Sequence, residues 1–255
     1  MKDRTGQPKR VLILGATSTI AEALARRLAE DGAHLLLAAR RADRLEAMAA
    51  DLRARGAGFA QVWPIDLSAV TDANAELARM IAALGGTLDA AVVIYGFLGD
   101  QRAADTDSAE LRRIIDTNFA SAAHWCVAAA GVLERQKRGV LLAISSVAGD
   151  RGRQSNYAYG AAKAGLTVLV EGLAHRLAPT GARAVVVKLG FVDTAMTAHI
   201  KKGGPLWAKP EAIARGLHEL LVKPSKTVVY MPWFWRPIMS VIKNIPTFVF
   251  HKTKL

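Results

Sequence analysis

The chain has 255 residues, 51% of them hydrophobic and 22% charged, with a formal net charge of +12 at pH 7. That length fits one large α/β domain or two small ones, and the apolar share allows a sizeable buried core. The single cysteine, Cys126, excludes an internal disulfide framework and a multi-cysteine metal site; no metal is expected, and the apolar stretch from Ala122 to Val132 suits a packed thiol.

Taken in order, the chain alternates. Val11–Leu14 is a short apolar run ending at Gly15, a buried strand, and helical periodicity follows from Thr19 to Glu30 until Asp31-Gly32. His34–Ala39 reads as a strand, Arg41–Arg55 as a helix, Phe59–Ile65 as a strand and Val70–Leu84 as a helix stopped by Gly85-Gly86. Leu88–Ile94 makes a fourth strand, Ala109–Gln136 a long helix, Val140–Ile144 a strand and Tyr157–Ala178 a second long helix. A strand Ala184–Leu189, a helix Pro210–Leu221 and a strand Thr227–Met231 complete the series. Strands alternating with helices of this length predict one α/β domain over 1–231, a Rossmann-type doubly wound parallel sheet of about seven strands with helices on both faces. Residues 232–255 form a basic, amphipathic tail.

Charge is concentrated late: from Lys201 to Leu255 there are ten Lys/Arg against two Glu, a surplus of +8. An anionic surface or a solvated basic face would account for it, whereas no recognised nucleic-acid motif accompanies it. The polar start MKDRTGQPKR lacks an apolar signal core, so a cytoplasmic protein is expected.

The first strand runs into Gly15-Ala16-Thr17-Ser18-Thr19-Ile20-Ala21 and then a helix. Backbone N–H groups and the dipole at a helix start favour a pyrophosphate there. The second strand ends Ala38-Ala39-Arg40-Arg41, with no acid to hold a ribose 2′-hydroxyl, and a guanidinium fork suits a 2′-phosphate, so NADP(H) is favoured over NAD(H). Tyr159 and Lys163 stand four residues apart on one helix face, just beyond a strand that ends Ile144-Ser145-Ser146. A free phenol titrates near pH 10, and a neighbouring ammonium would lower that value and suit it to acid/base work. Tyr157 has no lysine four residues on and is expected to pack or to contact substrate.

The order strand, Ser-Ser, loop, Tyr-x-x-x-Lys resembles the short-chain dehydrogenase/reductase family over almost the whole chain, as do the glycine turn and Asp116-Thr117-Asn118. The resemblance implies NAD(P)-dependent oxidoreduction of a carbonyl/alcohol pair, with Asn118, Ser146, Tyr159 and Lys163 catalytic. Ser146 would hydrogen-bond the developing alkoxide, Asn118 would hold a relay water, and Lys163 would also hold the nicotinamide ribose. Ser145 remains an alternative to Ser146. The implied cofactor set is Gly15, Thr17, Ser18, Thr19, Ile20, Arg40, Asp66, Leu67, Gly96, Tyr159, Lys163, Gly190, Val192 and Thr194; for Asp66 a cap is an equally physical role. Three places depart from the family pattern. Thr19 and Ala21 occupy usual glycine positions, Ile94-Tyr95-Gly96 replaces Asn-Asn-Ala-Gly, and Leu189-Gly190 replaces Pro-Gly.

Gly96-Phe97-Leu98-Gly99-Asp100, Ser145 to Arg151, Met196 to His199, Pro232 to Arg236, Ile238-Met239 and Ile245-Pro246 resemble more narrowly the decaprenylphospho-2-keto-erythro-pentose 2-reductases. That likeness implies a 2-keto pentose on a polyprenyl phosphate as substrate, in arabinose-lipid formation, and a flavin oxidase as partner. Lys201-Lys202 and Arg151/Arg153 would meet the substrate phosphate. Three prolines and two internal charges in the tail argue against a spanning helix, so an interfacial segment on the cytoplasmic face of the inner membrane is expected, with a lid or subunit interface as the alternative. The family's pairing of long helices implies a homodimer or homotetramer. Two other readings stay open: reduction of another hydrophobic ketone (3-oxoacyl or steroid-like), and a non-catalytic NADP-binding scaffold for an oxidase.

Overall fold

The computed structural model describes residues 9–198 and 203–253. The expected alternation is present: β1 (Arg10–Leu14), α1 (Thr19–Glu30), β2 (His34–Ala39), α2 (Ala42–Ala54), β3 (Phe59–Pro64), α3 (Ala73–Ala83) and β4 (Ala90–Val93). A one-turn α4 (Gln101–Ala104), α5 (Ser108–Ile115), α6 (Ser121–Gln136), β5 (Val140–Ser146), α7 (Tyr157–Leu177) and β6 (Arg183–Leu189) follow. Short strands β7 (Phe191–Val192) and β8 (Trp207–Ala208) precede α8 (Pro210–Val222), β9 (Val228–Met231), α9 (Trp235–Asn244) and a last turn α10 (Thr247–Phe250).

Seven strands form one parallel sheet in the order β3-β2-β1-β4-β5-β6-β9, while β7 and β8 pair separately. Successive side chains of a strand point to opposite faces, and the sequence uses both. Val11, Ile13, Leu35, Leu37, Leu142 and Val187 pack under α1, α2 and α8. Leu12, Leu14, Leu36, Leu141 and Val186 pack under α3, α6 and α7. Strand order reverses between β1 and β4, which opens a crevice at the carboxyl edge of the sheet.

The single long helix expected over Ala109–Gln136 is interrupted. Asp116–Ala120 is a π turn between α5 and α6. Its cause is Asn118, whose Nδ2 donates to the Ile114 carbonyl at 2.9 Å and to the Phe97 carbonyl at 2.5 Å, while its Oδ1 accepts from Phe97 N at 3.0 Å. A side chain inserted into the i→i+4 ladder widens the helix locally. Cys126 is fully buried on α6, and burial pushes its thiol up to about 12.

The tail folds back onto the sheet edge. Trp235 and Met239 of α9 are buried with Val147, against Phe191, Tyr230, Phe234 and Ile238. Arg151 Nη1 donates to the carbonyls of Ile242 (2.5 Å), Lys243 (3.2 Å) and Ile245 (2.7 Å), and its guanidinium lies 3.8 Å from the centre of the Phe250 ring. No helix among the described residues is long and apolar enough to cross a membrane.

Candidate active site

The turn after β1 is held by Gly15 N and Ala16 N, which donate to the Ala38 carbonyl at 2.8 and 3.1 Å. Gly15 has φ +96°, and a Cβ there would lie 2.6 Å from Tyr95 Cβ, so only glycine fits. Ser18 caps α1 by accepting from Ala21 N at 3.2 Å. Ala21, in a usual glycine position, is fully buried in the core under α1, so its extra methyl is accommodated. Tyr95 spans the gap left by the altered loop: it lies beside Gly15, and its hydroxyl bonds Ser121 Oγ. Burial pushes the Tyr95 phenol well above its ordinary value, which suits a structural role.

Thr17, Ser18, Thr19 and Ile20 line a cleft of about 300 Å³ together with Gly96, Asn156, Ser146, Tyr159, Lys163, Gly190, Val192 and Thr194. A ligand held at the positive end of α1 therefore reaches the phenol along one continuous wall, and this donor set fits a dinucleotide. Gly96 leaves the space between wall and helix open: a Cβ would lie 2.9 Å from Asn118 Oδ1 and 3.4 Å from Lys163 Nζ. Asn118, fully buried, thereby ties the Gly96-Phe97 loop to the π turn.

The two serines that end β5 part company. Ser145, 2% exposed, bonds the Lys163 carbonyl at 2.9 Å and Thr167 Oγ1 at 2.8 Å. Ser146 Oγ accepts from Ala148 N at 3.1 Å and faces the Tyr159 hydroxyl, whose ionised form it favours. Lys163, 3% exposed, donates from Nζ to the Ile144 carbonyl at 3.0 Å and stands 5.8 Å from the centre of the Tyr159 ring. Here one expectation is corrected. Burial pushes the Tyr159 phenol up to about 12, the Ser146 hydrogen bond only partly opposing it, and burial pushes Lys163 down to about 8. Burial disfavours the charged form of each group, so desolvation raises the phenol and lowers the ammonium. Tyr157, 47% exposed, turns outward and bonds Asp105.

At the far end of the sheet edge the cofactor candidates separate. Arg40 and Asp66 lie exposed beyond β2 and β3. Asp66 accepts from Ser68 N at 3.0 Å and Ser68 Oγ at 2.7 Å, which with the Arg40 charge holds its carboxyl below the usual range. The Leu67 carbonyl is taken by Trp125 Nε1 at 3.0 Å. Arg41 pairs with Asp43 at 2.7 Å, whereas Arg44, which sequence reasoning treated as part of a helix, lines the cleft and pairs with Glu22 at 3.3 Å. Its only sequence signal is a position one turn after Arg40.

Gly190 is required by the tail: a Cβ there would lie 1.8 Å from Trp235 Nε1. Thr194 N donates to Thr197 Oγ1 at 3.2 Å, and Thr197 Oγ1 in turn donates to the Val192 carbonyl at 2.7 Å, which orders the loop despite the missing proline. The expected pair Arg151/Arg153 is split. Arg151 is spent on the carboxyl end of α9, while Arg153 lines the cleft. Lys201 and Lys202 lie outside the described residues.

The sequence matches the family model described as short chain dehydrogenase over residues 9–204. It is 39% identical over 242 residues to an uncharacterized oxidoreductase of Mycobacterium tuberculosis, covering 95% of this chain and 96% of that one. It is 34% identical over 252 residues to an uncharacterized oxidoreductase of Streptomyces coelicolor, covering 98% of each. Among solved structures it resembles a short-chain type dehydrogenase/reductase from Mycobacterium marinum, with 27% identity, a TM-score of 0.76 and coverage of 87% of this chain and 93% of that one. An alcohol dehydrogenase from the archaeon Thermococcus sibiricus, solved with 5-hydroxy-NADP, shows 26% identity and a TM-score of 0.76 over 87% of this chain and 95% of that one. This chain, with its α1 turn and its Ser146, Tyr159 and Lys163 on one cleft wall, belongs to the short-chain dehydrogenase family, whose members are oxidoreductases that bind NAD(P).

Proposed function

We propose that the protein is a carbonyl reductase using NADPH, with Tyr159 as the proton donor. The observation that carries this is the shared cleft wall of Ser146, Tyr159 and Lys163, continuous with the amino end of α1. The α1 turn would hold the pyrophosphate, Lys163 the nicotinamide ribose, and Arg40 with Arg44 the 2′-phosphate. When bound there, the nicotinamide would supply a hydride to the carbonyl carbon. Ser146 Oγ donates a hydrogen bond to the substrate oxygen as charge develops there. Tyr159, protonated at neutral pH, gives its hydroxyl proton to that oxygen. Lys163, an ammonium below about pH 8, offsets the negative charge left on the phenolate. Asn118 fixes the Gly96 loop beside both groups.

The substrate class that fits best is a 2-keto pentose carried on a polyprenyl phosphate. The cleft's apolar lining of Leu98, Val147, Phe191 and Met196 supports a hydrophobic portion beside the reacting centre. Substituting Tyr159 by Phe is expected to lower kcat by a factor of about 100 or more with NADPH affinity unchanged, read by NADPH absorbance and by NADPH fluorescence titration. Undiminished turnover would remove Tyr159 as the acid. Turnover of only 3-oxoacyl or steroid-like ketones would refute the sugar-lipid substrate.

A further inference from the structure

Between Ser146 and the first turn of α7 the chain leaves two polar groups unmatched on the cleft wall. Arg153 Nε is shut off from solvent and has no hydrogen-bond partner among the described residues. Among the described residues its Nη2 reaches the thioether of Met239, at 3.5 Å, and no oxygen. The carboxylate that attracts it, Asp150, is already held by Lys188 and by Tyr230 Oη, the latter at 2.8 Å. A guanidinium carries five donors and no acceptor, so a half-buried one without an anion is expensive to maintain.

Asn156 is the second group. It occupies the N-cap of α7, where an Asn side chain ordinarily accepts from the first turn, yet makes no such bond. Gln101 Oε1 has taken that duty by accepting from Ala158 N at 2.9 Å. Asn156 Oδ1 is left buried and unpartnered among the described residues. Both residues line the same cleft as Ser146 and Tyr159, and both come from the loop between β5 and α7.

We infer that Arg153 and Asn156 form a recognition subsite for the substrate, Arg153 binding an anionic group such as a phosphate and Asn156 accepting from a neighbouring hydroxyl. The inference rests on the reductase reading and adds to it what the substrate must carry: negative charge and a hydroxyl, next to the apolar wall. Arg153 is thus a specificity determinant, distinct from the groups that move the proton. The neutral hydrophobic ketones considered above would leave both groups unmatched, a loss that strongly penalises a substrate lacking the partner.

The test uses the full chain saturated with NADP and phenyl phosphate as the probe, titrated by calorimetry. Arg153→Gln is expected to weaken phenyl phosphate binding about tenfold or more, and Arg153→Lys, which keeps the charge and loses the fork, to fall between. In turnover assays Arg153→Gln should raise KM for D-ribulose 5-phosphate by a similar factor with kcat little changed, and leave cyclohexanone kinetics within about twofold. Unchanged phenyl phosphate affinity would overturn the inference, as would an equal loss with both ketones or a matching loss of NADPH affinity. Should Arg153→Gln fail to fold, Asn156→Asp sets a carboxylate on the same loop and is expected to weaken phenyl phosphate to a similar extent; no weakening would again overturn it. If the wild type reduces no ketone while phenyl phosphate binding still depends on Arg153, the reductase reading fails and the anion subsite stands.

Discussion

Replacing Lys163 by methionine should make the protein more stable at neutral pH while removing its activity. The lysine is 3% exposed and titrates near 8 in the folded chain, against about 10.4 for a free lysine. A depressed ammonium means that folding disfavours the charged form, by roughly 3 kcal/mol at 1.36 kcal/mol per unit. That penalty is fully present below about pH 8 and is relieved as pH climbs towards about 10.4, because over that window the unfolded chain holds the proton and the folded chain has released it. Methionine fills similar volume without charge, and loses the bond to the Ile144 carbonyl, about 1 kcal/mol. The net gain is about 2 kcal/mol at pH 7, or a rise in Tm of roughly 4–8 °C for a domain this size. At pH 9.5 the remaining penalty is about 1.5 kcal/mol, so the gain should shrink to under about 1 kcal/mol. Urea unfolding of both proteins at the two pH values reads this directly, since other titrating groups cancel in the difference. A variant less stable than the parent at pH 7, or a gain equal at both pH values, would refute the reasoning.

Arg40→Ala should raise KM for NADPH by about tenfold and leave that for NADH nearly unchanged, because the charge-assisted bond proposed for Arg40 would serve only a 2′-phosphate; equal effects in steady-state assays would reject that role. The tail's outer surface exposes Trp233 (77%), Val241 (67%) and Phe248 (71%) beside the exposed cations Arg236, Lys243 and Lys252. We propose that this surface rests on an anionic membrane, apolar side chains at the acyl boundary and cations at the headgroups. Trp233→Ser with Phe248→Ser should weaken sedimentation with phosphatidylglycerol vesicles several-fold while the far-UV spectrum stays unchanged. Undiminished binding would rule that contact out. These point changes are preferable to deleting the tail, because α9 contributes Trp235 and Met239 to the packed edge.

The sequence by itself determined the alternation of strands and helices, because apolar period and turn residues are local properties that survive without any tertiary context. It also determined the kind of residues offered at the sheet's carboxyl edge, Gly15 in a left-handed turn and Tyr159 one turn before Lys163, since each depends only on spacing along one element. Ser146 is preferred over Ser145 in the sequence only by its resemblance to the family's spacing; the physical reason, hidden there, is the strand's pleat, which turns Ser145 Oγ onto α7 and leaves Ser146 Oγ facing Tyr159. The break at Asp116–Ala120 was equally hidden, for it arises when Asn118 reaches a loop 21 residues away. The titration of Tyr159 and Lys163 belongs to the assembled cleft, where burial disfavours the charged form of each. The split between Arg151 and Arg153 is likewise tertiary: two residues apart in sequence, one meets the carbonyls that end α9 and the other meets no oxygen of the chain among the described residues. Spacing decides which groups are available, whereas the balance of solvation and partners that fixes what each group does exists only once distant segments have closed around it.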